Sequence, residues 1–188
     1  MLFALSAPSG AGKTTIARRM LRQFPSLKFS VSATTRAQRP REEHGKDYFF
    51  LSREEFEHRV ADGDLVEWEE IYGNLYGTLK SEIDRVLDDG GHMLFDIDVK
   101  GALSIKRLYG EAAVLIFIHP PSIDVLRERL ERRGTDSAEV IDRRMERSAW
   151  ELKQAELFDF VILNEDLGRS VPEVAGIVAT QMNRNRTQ

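Results

Sequence analysis

The 188-residue sequence predicts an α/β domain with a parallel-sheet core and two inserted pieces, one β-rich and one helical. Three observations point there. Short apolar runs alternate with amphipathic segments along most of the chain. The first apolar run, Leu2 to Ser6, passes through a glycine-rich turn straight into a helical pattern. Apolar residues make up 41% of the chain and charged residues 31%, the balance of a globular domain long enough to bury a sizeable core.

Taken in order, Leu2 to Ser6 reads as a buried strand, and a helix follows from about Gly12 to Phe24, where Pro25 stops it. Phe29 to Ser32 is short and strand-like. Tyr48 to Leu51 and Leu65 to Ile71 are strand candidates around a polar helix near Arg53 to Ala61, and Tyr72-Gly73-Asn74 reads as a turn. This stretch is the β-rich insert. A helix from about Lys80 to Leu87 resumes the α/β rhythm, and Gly90 and Gly91 lead into the strand His92 to Ile97. A helix near Ala102 to Leu108 and the strongly apolar strand Ala113 to Ile118 come next. Pro120 and Pro121 then break the chain before the second insert, about Ile123 to Phe158. That insert is helical and Arg-dense, with Gly134 between two helices. Phe160 to Leu163 reads as the last strand and Val171 to Met182 as the closing helix.

Composition removes several classes of function. With 27 Lys+Arg against 31 Asp+Glu the net charge is −4, which argues against a surface for a nucleic-acid polymer or an anionic membrane. The cations divide into 20 Arg and only 7 Lys, however. Arginine grips phosphate with two parallel hydrogen bonds, so small phosphorylated ligands stay open. The absence of cysteine excludes disulfides, thiolate metal sites and a catalytic thiol. His44, His58, His92 and His119 are scattered without ligand spacing, so no histidine-based metal centre is expected. The amino terminus has no basic segment before its short apolar run, and no stretch approaches the roughly 20 apolar residues that cross a bilayer. A cytoplasmic location is the default expectation.

The motif with the most chemistry is Ser9-Gly10-Ala11-Gly12-Lys13-Thr14, between the first strand and first helix. Backbone amides in such a loop point inward around phosphate oxygens, and the helix amino terminus adds favourable partial charge. Lys13 would reach the β- and γ-phosphates and the Thr14 hydroxyl would ligate Mg²⁺. Ala7 stands where the usual pattern has Gly. Met93-Leu94-Phe95-Asp96-Ile97-Asp98 is an apolar strand ending in acids, which belongs near a metal or second substrate in phosphate-loop proteins. Together these point to nucleoside triphosphate binding.

Such a loop serves GTPases, motor ATPases and small-molecule kinases alike. The Asn-Lys-x-Asp box of GTPases is absent, and the inserts favour a kinase, which must hold two anionic substrates together. The first insert supplies Arg36, Arg39 and Arg41, with Tyr48 and Tyr76 as hydroxyl donors. Glu67 lies in the apolar run Leu65-Val66-Glu67-Trp68, either pointing outward by alternation or held there for a function. The second insert carries Arg127, Arg129, Arg132, Arg133, Arg143, Arg144 and Arg147, with acids interleaved, so that ion pairs account for several of them. Arg129 and Arg133 share one helical face.

The ordered set of motifs resembles the guanylate kinase family. It comprises Pro8 to Thr14, Ser30-Val31-Ser32-Ala33-Thr34-Thr35-Arg36, Gly45-Lys46-Asp47-Tyr48 and Gly73-Asn74-Leu75-Tyr76-Gly77-Thr78. It continues through Asp96-Ile97-Asp98-Val99-Lys100-Gly101, Arg129 to Thr135, and Val161 to Leu167. The resemblance implies a P-loop nucleoside monophosphate kinase fold that transfers phosphate from ATP, with Mg²⁺, to GMP or dGMP. It implies a core of residues 1–31, 81–123 and 151–188, a GMP-binding region at 32–80 and a mobile lid at 124–150.

Carried over by position, Arg36, Arg39, Tyr48 and Tyr76 would hold the GMP phosphate, while Ser32, Glu67, Thr78 and Asp98 would read guanine. ATP would contact Ala7, Pro8, Ser9, Gly10, Ala11, Gly12, Lys13, Thr14 and Thr15, with Asn164 near the adenine. Lys13, Arg129, Arg133 and Arg144 would serve the transfer step, and Thr14 the metal. Gln38, Arg41 and Lys100 depart from residues common in the family. Two rivals are weighed against this reading. A scaffold-type binding module is disfavoured because Lys13, Thr14 and the lid arginines are present. A kinase for a sugar phosphate is disfavoured because Glu67, Thr78 and Asp98 would have no base edge to read.

Overall fold

The computed structural model describes residues 1–40, 42–71, 73–133 and 137–184, with the backbone alone at positions 71 and 133. Arg41, Gly134 and the side chain of Arg133, all named above, lie outside the described residues.

Strand β1 (Leu2–Ser6) is buried along its whole length because both of its faces are covered. It lies between β7 (His92–Asp96) and β8 (Ala113–His119), and the sheet runs β2-β7-β1-β8-β9, every pair parallel. Its edges are β2 (Leu27–Phe29) and β9 (Phe160–Leu163). Alternation along β1 divides the core. Phe3 and Leu5 pack with Ile16 and Met20 of α1 (Lys13–Gln23) and with Val174 and Val178 of α7 (Leu167–Arg184). Leu2 and Ala4 pack on the other face with Ile83 of α3 (Lys80–Asp88) and Ile105 of α4 (Val99–Tyr109). Each of these fully buried large side chains contributes roughly 1.5–3 kcal/mol of transfer free energy. The chain departs from β1 toward one face and returns on both sides of it, so the loop after β1 opens at a topological switch point, where such sheets bind ligands.

The β-rich insert is a second sheet, β4-β3-β6-β5. It comprises β3 (Ala33–Thr34), β4 (Phe49–Phe50), β5 (Leu65–Ile71) and β6 (Asn74–Leu79). It has a small core of its own, in which Phe56 of α2 (Arg53–Ala61) meets Ala33, Leu65, Leu75 and Leu79. Helix α2 begins at a full capping box, Ser52 with Glu55. The helical insert is α5 (Ile123–Arg133) and α6 (Ala138–Lys153), whose Leu126, Leu130, Ile141 and Met145 join the β1 core.

Several boundaries differ from the sequence reading. The strand expected at Phe29 to Ser32 lies instead at Leu27–Phe29, where it pairs with β7, and the chain then crosses to the second sheet at β3. β6 occupies Asn74 to Leu79, a stretch given no element in the sequence reading beyond the turn ending at Asn74, whose Tyr72 lies outside the described residues; its pairing with β3 and β5 makes the strand. Helix α4 starts three residues earlier than expected, at Val99, since the Asp98 side chain caps it by accepting the Gly101 N–H at 2.9 Å. Helix α7 begins at Leu167 and tolerates Pro172 within its second turn.

Candidate active site

The glycine-rich loop wraps the mouth of β1 and opens α1. Gly10 and Gly12 both have positive φ, which fits the requirement for glycine in a curled anion-binding loop. At Gly12 the constraint is double: φ is +96° and an added Cβ would stand 2.5 Å from Asn164 Nδ2. Asn164 is buried beneath the loop, donates to the Ala11 carbonyl at 2.6 Å and accepts from the Ser170 hydroxyl at 2.7 Å. It braces the loop from below.

Asp96 at the end of β7 faces the loop. Its Oδ1 lies 3.1 Å from Lys13 Nζ and its Oδ2 accepts the Thr14 hydroxyl at 2.8 Å. This pair of hard oxygens, Thr14 Oγ1 and Asp96 Oδ2, suits a magnesium ion, whose adjacent octahedral ligands at about 2.1 Å are about 3 Å apart. Magnesium takes few protein ligands and fills its other positions with water and phosphate oxygens. No group of three or more His, Cys, Asp or Glu suited to a metal occurs among the described residues.

The helical insert reaches over this loop. Arg129 Nη1 donates to the Gly10 carbonyl at 3.2 Å and Arg144 Nη1 to the Ser9 hydroxyl at 3.2 Å. Loop and insert enclose a cleft of about 700 Å³, lined by Ala7, Pro8, Ser9, Gly10, Gly12, Lys13, Thr14 and Thr15 on one side. Arg129, Arg132, Arg144, Arg147, Ser148 and Glu151 face them, and Asp96 and Asp98 form the floor. Of the residues expected to contact ATP, Ala7 to Gly10 and Gly12 to Thr15 line this cleft, whereas Ala11 and Asn164 are buried behind the loop, so Asn164, expected near the adenine, instead holds the loop from beneath.

Of the residues that the sequence reading assigns to guanine, Glu67, Thr78 and Asp98 come together, Glu67 and Thr78 by a hydrogen bond and Glu67 and Asp98 around Gly101. A β-bulge between Leu65 and Glu67 resets the alternation of β5. Leu65 then faces the small core, while Glu67 turns to the opposite face beside Thr78, which donates to its Oε1 at 2.7 Å. Burial raises the Glu67 carboxyl above its ordinary value; the Thr78 hydrogen bond lowers it, and the Asp98 and Glu69 charges add to the rise. Gly101 packs closely between Glu67 and Asp98: an added Cβ would stand 3.3 Å from Glu67 Cγ and 3.4 Å from Asp98 Oδ1. A second cavity of about 390 Å³ contains Glu67, Glu69 and Asp98 in its lining, so Asp98 borders both spaces. Ser32 lies just before β3, where its carbonyl accepts the Phe49 N–H.

The acceptor-phosphate set is closed on itself. Arg36 pairs with Glu42 at 2.7 Å and lies over the Tyr48 ring at 5.4 Å, and the Tyr48 and Tyr76 rings are 6.1 Å apart. Glu42 also accepts the Arg39 backbone N–H at 2.9 Å. An intramolecular carboxylate thus occupies the Arg36 guanidinium, which the sequence reading assigns to a phosphate, and holds Arg39 by its backbone alone. Burial raises the Tyr48 hydroxyl, which stays a neutral donor.

The structure adds Asp96, Glu42, Arg132, Arg147, Ser148 and Glu151 to the residues around these spaces. Asp96 had a signal, the acid at a strand end. Arg147 and Glu151 are four apart, spacing that reads as an ordinary helix ion pair. Ser148 Oγ is buried without a hydrogen-bond partner while lining the cleft.

A five-stranded parallel sheet with a phosphate loop at its switch point, a second sheet on one flank and an arginine-bearing helical arm over the loop defines a P-loop nucleotide kinase architecture. The family model for guanylate kinase matches residues 2–181, and the chain belongs to the guanylate kinase family. It is 49% identical over 178 residues to the guanylate kinase of Chlorobaculum tepidum, covering 95% of this chain and 91% of that protein. The guanylate kinase of Salinibacter ruber is 51% identical over 173 residues, with 92% of each chain covered. The crystal structure of guanylate kinase from Anaplasma phagocytophilum superposes with a TM-score of 0.73 at 34% identity, over 97% of this chain and 86% of that one.

Proposed function

We propose that the protein transfers the γ-phosphoryl group of ATP to the phosphate of GMP, and of dGMP, giving ADP and GDP or dGDP. The observation that carries this reading is the Glu67–Thr78 pair beside Asp98, at the border of the cleft that holds the phosphate loop. Guanine offers N1–H and N2–H₂ donors to carboxylates, and Thr78, whose one hydroxyl proton is donated to Glu67, orients that carboxylate. Adenine presents a bare N1 acceptor, which would face repulsion and leave a buried acid unpaired, a mismatch on the order of 10⁴ in discrimination.

In this reading ATP lies along Ala7 to Thr15, with Lys13 on its terminal phosphates and Asn164 setting the loop beneath it. Arg129, Arg133 and Arg144 balance the charge that spreads over the transferring phosphoryl oxygens, while Arg36, Arg39, Tyr48 and Tyr76 hold the acceptor phosphate once Glu42 gives way. An acceptor oxygen bonds to the γ-phosphorus as the bond to the β-γ bridging oxygen breaks, and the electron pair leaves with ADP. The acceptor is already anionic at neutral pH, so no general base is needed, and catalysis is positioning plus electrostatics. Magnesium held by Thr14 and Asp96 would neutralise β- and γ-phosphate charge. The parts would be a core of 1–31, 81–123 and 151–188, a GMP-binding region at 32–80 and a lid at 124–150. No described helix is long and apolar enough to cross a membrane. Incubation with ATP labelled in the γ-phosphate tests the reading: label should appear in GDP, and its appearance only as free phosphate would refute the proposal.

A further inference from the structure

Arg147 divides its guanidinium among carboxylates from three separate elements. Nη2 donates to Asp98 Oδ2 at 2.6 Å, at the cap of α4. Nη1 lies 3.5 Å from Glu69 Oε1 on β5, and Nε lies 3.2 Å from Glu151 Oε1 on α6 itself. The Glu151 contact alone would be a common helix pair. The other two leave the helix and join residues 49 and 78 positions away in the chain. Among the described contacts, this side chain links the helical arm, the core and the second sheet at one point.

The place it links is the guanine end. Asp98 is fixed at both oxygens, by the Gly101 N–H at Oδ1 and by Arg147 at Oδ2, which sets the plane of the carboxylate while leaving each oxygen a further lone pair. Glu67, Glu69 and Asp98 share the lining of one small cavity with Lys100 and Arg107. Arg147 adds a third cation beside it, bonded to Asp98 and 3.5 Å from Glu69, where an anionic substrate has to enter. Although Arg147 also lines the phosphate cleft, its donors are committed to carboxylates, unlike those of Arg129 and Arg144, which meet the loop.

We propose that Arg147 is a positioning residue for the guanine end of the acceptor, acting through Asp98 and Glu69 and tying the helical arm to that pocket. The proposal rests on the guanylate kinase reading above. It separates Arg147 from the phosphate-binding arginines of the same insert: its removal weakens the acceptor and spares the donor.

Steady-state kinetics on the full chain test it with Arg147→Gln, Arg147→Lys, Asp98→Asn and the Arg147→Gln/Asp98→Asn double variant, each checked for an unchanged melting profile. Arg147→Gln should raise the KM for GMP about tenfold, the loss expected for a half-exposed charge-assisted hydrogen bond, with kcat and the KM for ATP within about twofold of wild type. Arg147→Lys should recover part of the loss, since it keeps the charge and one contact. In the Asp98→Asn background the Arg147→Gln effect should shrink well below tenfold. Equal rises in both KM values, a fall in kcat alone, a lower KM for GMP, an unchanged KM, or a full-sized effect in the Asp98→Asn background would each overturn the assignment. Absence of GMP turnover by the wild-type chain is a separate result: it removes the parent reading, and this one with it.

Discussion

Lys13 and Asp96 meet on the floor of the phosphate cleft, Nζ 3.1 Å from Oδ1. The other oxygen of the same acid accepts the Thr14 hydroxyl at 2.8 Å. One carboxylate therefore keeps the loop's cation and its hydroxyl in place before a nucleotide arrives, and the phosphates must compete with Asp96 for Lys13.

Replacing Lys13 with Ala should lower kcat by at least roughly 10²-fold, as loss of a charge contact to the transferring phosphoryl does. Single-turnover measurement separates that step from binding, and circular dichroism verifies the fold. Turnover near wild type would remove Lys13 from the transfer step.

Glu67→Gln should raise the KM for GMP far more than that for ATP. The amide keeps the shape but places an NH₂ or a weaker acceptor where guanine needs a carboxylate, a loss of about 1.5–3 kcal/mol for a hydrogen bond to a charged group. Initial-rate kinetics with each substrate varied at saturating partner provide the comparison. Equal changes in the two KM values would argue against base reading.

The bulge that aims Glu67 shows how far the sequence could be read. Leu2–Ser6, Arg53–Ala61, Leu65–Ile71 and Phe160–Leu163 form as their patterns predict, because apolar periodicity and capping are local properties. The side of β5 on which Glu67 emerges is not local: it depends on one extra residue opposite Thr78, and nothing in Leu65-Val66-Glu67-Trp68 marks it. The same holds for β6, which had no strand assignment in the sequence and forms by pairing with β3 and β5. The phosphate loop was legible since its chemistry requires contiguous residues. Asp96 and Arg147 meet their partners across long chain separations, so the fold assembles those pairs, although Asp96 carried its strand-end signal; Glu42 is only six residues from Arg36, and its place is set by the turn between them.

A pH dependence follows from Glu67. Burial favours its neutral acid, so its contribution to folding stability is full below 4.5 and declines as pH rises through the raised value. Guanine binding has the opposite sign, because it needs the ionised carboxylate. The acid limb of kcat/KM for GMP should therefore lie above 4.5, and Thr78→Val, which removes the hydrogen bond favouring ionisation, should move it upward. The phosphate of GMP itself titrates near about pH 6 in both proteins, so the displacement between variants is the informative quantity. A limb at the same pH in both would contradict the role assigned to Glu67.

Asn164→Ala would remove the donor to the Ala11 carbonyl and leave the Ser170 hydroxyl only the Asp166 carbonyl. Stability should fall by about 1–3 kcal/mol. With the loop no longer braced, the KM for ATP should rise more than that for GMP. Urea denaturation and steady-state kinetics check the two effects. An unchanged midpoint would mean that Asn164 does not brace the loop.

The central claim is that one cleft joins an ATP-binding loop to a guanine-reading pocket. An assay of ADP formation from ATP with GMP, dGMP, AMP, CMP and UMP as acceptors tests it most directly. The account predicts turnover with GMP and dGMP, with kcat/KM for AMP lower by about 10⁴. Turnover with AMP and none with GMP would contradict it.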